Sequence, residues 1–276
     1  MPPGFGPNDE LLARATAALS GNRPDEAERL AADLLKRKPD HSRAPHILGY
    51  ALLMQGRARD AIAALEAVVR SRRDPELDTQ LAIALRQAGR HDDAVARLKR
   101  ATNRRPPFPG AFYELGRLLS SLERHDEAIE AFRRGIDVAP MMPELSIELG
   151  QVLLARKKSA DARIAFARAL SISPDAPEAL FGMARACQDG GAHREAAAHF
   201  RRYLVARPDD RNAWSGLGHS LLEIGERDAG YDCFRTAARG DPQHAGRALS
   251  SLVKSAHGRF WLKPSAATQF LQGAKS

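Results

Sequence analysis

Cysteine is nearly absent from this sequence: Cys187 and Cys233 are the only two among 276 residues. They are too few for a disulfide framework and too far apart for a CxxC redox or metal site, so a reducing, cytoplasmic setting is expected. No run of about 18 apolar residues occurs, which excludes a membrane-spanning helix from expectation. The opening stretch MPPGFGPNDE has neither a basic n-region nor an apolar h-region, and predicts no secretory signal. Catalytic signatures are missing as well. There is no GxxxxGK[ST], no HExxH and no GxSxG. GLGHSL (216–221) opens like a dinucleotide-binding turn but closes on Leu221 and follows no strand. His193 and His199 are six positions apart, roughly 120° around a helix, so they do not converge on a metal. No cofactor, no metal and no catalytic activity are therefore expected.

What is present is a core-forming composition, 43% hydrophobic and 28% charged, with a net charge of +8. That is too apolar for a disordered chain. The charge leaves room for an anionic partner and says nothing about the fold.

The dominant signal is a repeat. RHDEAIEAFRRGIDVAP (124–140) has counterparts in RHDDAVARLKRATNRRP (90–106) and AHREAAAHFRRYLVARP (192–208). Small residues recur at Ala27, Ala61, Ala94, Ala128, Ala162, Ala196 and Gly230, at steps of 34, 33, 34, 34, 34 and 34. Twelve positions before each stands another small residue: Ala15, Gly49, Ala82, Gly116, Gly150, Ala184 and Gly218. Four positions after each comes Ala31, Leu65, Leu98, Phe132, Phe166, Phe200 or Phe234. Proline follows at 39, 106, 140, 174, 208 and 242, and Arg73 breaks that rule. Evenly spaced copies point to architecture rather than to a reactive cluster. Apolar positions three and four apart predict two amphipathic helices per unit, A and B, with the small residues at their crossing. Acids such as Asp126 and Glu127 open helix B, where the helix dipole favours them, and the arginines near its end suit the opposite pole.

The 34-residue pattern resembles the tetratricopeptide repeat family. Trp214, Leu217, Gly218, Leu221, Gly225, Phe234, Ala237 and Pro242 carry the likeness most clearly. Gly230 departs from the usual alanine, and Arg14-Ala15 from the usual Leu-Gly pair. The resemblance implies an all-α, right-handed superhelical solenoid of helix-turn-helix units. Seven units are expected at 8–41, 42–74, 75–108, 109–142, 143–176, 177–210 and 211–244, after a tail at 1–7.

It also implies a concave groove lined by helix A. Carrying the family's inward positions onto this chain nominates His46, Tyr50, Leu53, Met54, Ile83, Arg86, Gln87, Tyr113, Arg117, Gln151, Phe181, Arg185, Gln188 and His219 as peptide-binding residues. Tyrosine and arginine on such a surface suit peptide anchoring, and Arg86 with Arg117 could face one carboxylate. The chaperone-tail clamp of the family is missing, because the clamp positions read Leu12/Thr16, His46/Tyr50, Tyr113/Arg117 and Phe181/Arg185.

Outside the groove, Lys99/Arg100, Arg133/Arg134, Arg168, Arg201/Arg202 and Arg235 recur on the outer side of helix B. Such a ribbon could track a phosphate backbone, but no aromatic residues interleave with it and acids dilute it, so a solvated face is the stronger expectation. Residues 245–276 read as a cap helix (245–256) and an apolar tail, with Ser265 the expected N-cap of a last helix. Phe260, Trp261, Leu262, Phe270 and Leu271 would cover the final unit, occupy the chain's own groove or dock a second copy. The functional expectation is a non-catalytic protein–protein interaction scaffold with a protein or peptide partner and no membrane. The alternatives are a recognition arm of a larger or neighbouring enzyme, a nucleic-acid binder through the basic ribbon, and a self-assembling scaffold.

Overall fold

A computed structural model describes residues 6–239, 245–246, 248, 250, 252–253 and 264–271. Every regular element among them is helical. The chain divides into two compact segments, Met1–Ala139 and Pro140–Ser276. The first holds α1 (Pro7–Ser20), α2 (Pro24–Arg37), α3 (Ala44–Met54), α4 (Ala58–Val69), α5 (Pro75–Gln87), α6 (His91–Thr102), α7 (Pro109–Ser121) and α8 (His125–Val138). The second holds α9 (Pro143–Ala155), α10 (Ser159–Ile172), α11 (Pro177–Asp189), α12 (His193–Ala206), α13 (Arg211–Glu223), α14 (Arg227–Ala238) and α15 (Pro264–Leu271). No described helix is long and apolar enough to cross a membrane. Within each segment an odd-numbered helix pairs with the even-numbered helix after it, and odd-numbered helices also touch one another along the row. This is the stacked-hairpin arrangement the repeat predicts.

The hairpin turn is built the same way seven times. Asn22, Gly56, Gly89, Glu123, Lys157, Gly191 and Gly225 all have φ between +54° and +86°. The next residue's N–H then reaches back five positions, as in Arg57 N to Leu52 O (3.0 Å) and Lys158 N to Leu153 O (2.9 Å). That is the Schellman closure, which satisfies carbonyls left open at a helix end. In four of the seven units the N-cap of helix B is an arginine whose guanidinium grips an acid three residues on: Arg23–Glu26 (2.6 Å), Arg57–Asp60 (2.7 Å), Arg90–Asp93 (2.7 Å) and Arg124–Glu127 (2.7 Å). The Arg124 hydrogen bond, then Lys99, hold the Glu127 carboxyl down at about 2. Such exposed pairs order the turn more than they stabilise it.

The small and large repeat positions meet in the core. Ala27, Ala61, Ala94, Ala128, Ala162 and Ala196 have no exposed surface, and neither do Phe132, Phe166 and Phe234. Each ring lies on bare glycine backbone. A Cβ on Gly150 would come 2.7 Å from the Phe166 ring, and one on Gly218 would come 2.9 Å from that of Phe234. Burying a phenylalanine this fully stabilises by about 1.5–3 kcal/mol, provided no Cβ intervenes.

The basic ribbon corrects one expectation. In α8, α10 and α12 the arginines stand in mid-helix rather than in the last turn, and several bond the preceding repeat. Arg168 donates to Pro140 O (3.4 Å), Arg202 to Pro174 O (2.7 Å) and Asp175 (3.1 Å), and Arg134 to Asn103 Oδ1 (3.2 Å). Each reaches the loop about 28–31 residues back because stacking brings that loop over mid-helix. Lys99 pairs with Glu127 at 2.8 Å and Arg201 with Glu226 at 3.5 Å.

In α5, Asp78 is fully buried between Arg97 (3.2 Å) and Arg104 (3.4 Å). Near the C-terminus, α15 starts at Pro264, so Ser265 lies inside the helix rather than capping it. Phe270 and Leu271 pack with Leu222, Phe234, Ala238, Ala248 and Leu252, and the Arg235 guanidinium sits 4.6 Å over the Phe270 ring. Two of the five nominated tail residues therefore cover the last hairpin. Phe260, Trp261 and Leu262 lie outside the described residues.

Candidate functional site

The nominated groove residues fall in both segments. In the first, six of the nine are engaged with other residues of the same segment. His46 Nε2 stands 2.9 Å from Asp74 Oδ2, while the other oxygen of Asp74 caps α5 through Glu76 N and Leu77 N. Leu53 is buried, 8% exposed, in a cluster with Leu52, Ala61 and Ala84, and Ile83 packs against that cluster. Leu53 is therefore core, because α3 turns it toward the neighbouring hairpin. Tyr50 and Met54 are exposed, at 38% and 45%. Burial of the rest of the Tyr50 side chain pushes its hydroxyl up. Gln87 is exposed and lines a shallow depression with Arg57 and Asp60. Arg86 points to Glu114 at 3.9 Å, and Arg117 lies 5.4 Å over the Tyr113 ring. The carboxylate that Arg86 is expected to meet on a ligand is supplied by the protein itself, from Glu114.

The second segment holds a cavity of about 990 Å³ between α9, α11 and the end of α12. Three nominated residues line it: Gln151, Phe181 and Arg185. Its floor follows from helix geometry. Glu178, Phe181, Gly182 and Arg185 are spaced i, i+3, i+4, i+7 on α11 and so share one face. The Phe181 ring packs 5.8 Å from Phe200, edge-on, and 5.1 Å from Tyr203. Tyr203 OH donates to Asp210 Oδ2 at 2.6 Å. Burial, with that bond second, pushes the Tyr203 hydroxyl up to about 12. The other oxygen of Asp210 caps α13 through Asn212 N and Ala213 N, so the wall from Tyr203 to Asp210 is rigidly held.

Lys157, Tyr203, Arg207, Asp209 and Asp210 also line the cavity and are not among the residues that the sequence nominates. They belong to the turn after helix A and to the end of helix B, outside the inward positions of helix A. The repeat register alone would have singled out Lys157, which stands at the turn position that is glycine in four other hairpins and, like them, has a positive φ. Lys157, Arg185 and Arg207 form no ion pair among the described residues.

The last two nominees serve packing. Gln188 Nε2 donates to Gly216 O (2.8 Å) and Ser220 Oγ (2.9 Å), tying α11 to α13. His219 meets the His193 ring edge-on at 5.8 Å, and burial lowers its pKa. Cys187 and Cys233 are both buried free thiols; burial raises both, Cys233 to about 11, which keeps them protonated and unreactive at neutral pH. No group of three or more metal-ligating side chains converges among the described residues.

The tetratricopeptide repeat profiles match residues 12–77, 79–140 and 113–177, and a second such profile matches 153–218. No curated protein matches the sequence. Among solved structures, YrrB, described as a protein of this repeat class with an unusual peptide-binding site, is 20% identical with a TM-score of 0.59. That match covers 67% of this chain and 96% of YrrB. A tetratricopeptide repeat protein from Parabacteroides merdae is 15% identical with a TM-score of 0.55, covering 88% of this chain and 98% of its own. MamA from Desulfovibrio magneticus is 16% identical with a TM-score of 0.54, covering 59% and 92%.

Proposed function

The chain belongs to the tetratricopeptide repeat family, and from that premise we propose that it is a non-catalytic protein-interaction scaffold that holds a peptide segment in the cavity of its second segment. The observation that carries this reading is the cavity itself. About 990 Å³ of open space is floored by Phe181 and Tyr203 and rimmed by Lys157, Arg185 and Arg207. An apolar floor with a few convergent polar groups is the usual form of a ligand site, and aromatic and arginine side chains are the usual anchors of peptide binding. YrrB, of similar fold, is described as having an unusual peptide-binding site, which favours a peptide as the ligand class. The arginines of helix B are in part engaged with carbonyls and acids of neighbouring repeats, and this disfavours a phosphate-tracking ribbon.

The test is selection of a displayed random-peptide library on the full chain and on Ala155→Trp. Ala155 is exposed and lines the cavity, so a tryptophan there fills the space while leaving the core intact. A shared motif enriched by the wild type and lost from the variant is the expected result. Equal enrichment on both proteins would move peptide binding elsewhere.

A further inference from the structure

The cavity of the second segment is polar in a directional sense, and that direction names its occupant. At one end stand Gln151, Lys157 and Arg185, with no carboxylate in that part of the lining. At the other end stand Glu178 and Asp209, beside Asp210, whose carboxylate is already spent on Tyr203 and on the start of α13. Arg207 lies at this second end too, near enough to Tyr203 to lower its pKa against the larger effect of burial. Between the ends, Phe181 and Gly182 leave an apolar step. Glu178 and Arg185 are seven residues apart on α11, about 10.5 Å along its axis.

Lys157 adds an independent observation. It is held at φ +59°, where Gly56, Gly89, Gly191 and Gly225 stand in other hairpins. A left-handed backbone costs an L-residue about 1–2 kcal/mol that glycine would avoid. Glu123 is the other long side chain at this position, and Asn22 tolerates the conformation. Keeping a lysine there places an ammonium group at the basic end of the cavity, and strain retained beside a pocket is characteristic of binding sites.

We propose that the cavity takes an extended peptide in which an acidic and a basic side chain flank a large apolar one at alternate positions. The carboxylate meets Lys157 and Arg185, the apolar side chain lies on Phe181 and Tyr203, and the cation meets Glu178 and Asp209. Alternate side chains of an extended chain share one face, and charges four residues apart span about 13 Å, comparable with the α11 stripe once the side chains converge. Charge complementarity at both ends fixes the direction of the chain, so register as well as composition is recognised.

This inference rests on the peptide-binding reading above. Its test uses the same library on the full-length protein with two single charge reversals, Arg185→Glu and Glu178→Lys. Both residues are exposed, so the substitutions leave packing undisturbed. The wild type is expected to enrich an acid–apolar–base pattern. Arg185→Glu should replace the acid by lysine or arginine, and Glu178→Lys should replace the base by an acid. For the best wild-type peptide, Arg185→Glu should weaken binding at least tenfold, and changing the peptide's acid to lysine should restore it. An apolar motif with no flanking charges, or a charge pattern that neither reversal changes, would overturn this inference while leaving the cavity as the site. Motifs that survive Ala155→Trp would instead overturn the peptide-binding reading on which it rests.

Discussion

Phe166 of α10 packs directly on the backbone of Gly182, one repeat further along the chain, and leaves no room for a Cβ there. Gly182→Ala is therefore an informative substitution. In an open helix, alanine stabilises by about 1 kcal/mol relative to glycine. Here the methyl group would collide with a ring that Gly150 confines from the other side. Overpacking costs about 1–3 kcal/mol, so the net change is destabilising. Urea denaturation should show a lower midpoint for Gly182→Ala, and an unchanged or higher midpoint would mean that the ring has room to move.

Asp78 raises a second asymmetry. Its carboxylate is fully buried, whereas Arg97 and Arg104 keep 25% and 22% of their side chains exposed. Removing the acid leaves two arginines that can turn to solvent. Removing both arginines strands a buried charge, which costs about 3–5 kcal/mol. Arg97→Met/Arg104→Met should thus destabilise more than Asp78→Asn. Equal losses in denaturant titrations would mean that water already reaches the carboxylate.

Lys157→Gly should raise stability and weaken ligand binding together. Relief of the left-handed backbone stabilises by about 1 kcal/mol after the extra entropy of glycine is subtracted. The same change removes an ammonium group from the cavity rim. Thermal unfolding and affinity for a selected peptide should move in opposite directions; a drop in both would place the lysine in the fold rather than in recognition.

Two histidines set an acid-side dependence. Burial lowers the pKa of His199 and of His219 below the ordinary 6.5. The unfolded chain then binds protons before the folded one does. Stability is full above pH 6.5, falls as pH drops from 6.5 toward the lower folded values, and levels off beneath them. Melting temperature measured between pH 7.5 and 5.5 should fall, and His199→Gln/His219→Gln should flatten the slope. A slope unaffected by the double substitution would assign the dependence to other groups.

The repeat register was legible because its signal is steric and local. A small residue is required wherever two helices cross, and Phe132, Phe166, Phe200 and Phe234 fill the space beside it. The site was legible only in part. Gln151, Phe181 and Arg185 are where helix-A positions put them, but Gln188 bonds Gly216 and Ser220, and Leu53 is core. Those outcomes depend on which neighbouring repeat each side chain meets, which a single repeat's pattern does not encode. Tyr203, Arg207 and Asp210 are not legible in the helix-A pattern for a related reason: they line the cavity from the end of helix B and from the following loop.

The central claim is the location of binding, and amide chemical-shift mapping tests it most directly. A peptide selected on the wild-type protein would be titrated into the isotope-labelled full chain. The account predicts perturbations centred on Gln151, Lys157, Phe181, Gly182, Arg185 and Tyr203, and their disappearance in Ala155→Trp. Perturbations centred instead on the outer faces of α6 and α8, around Arg100 and Arg133, would contradict it.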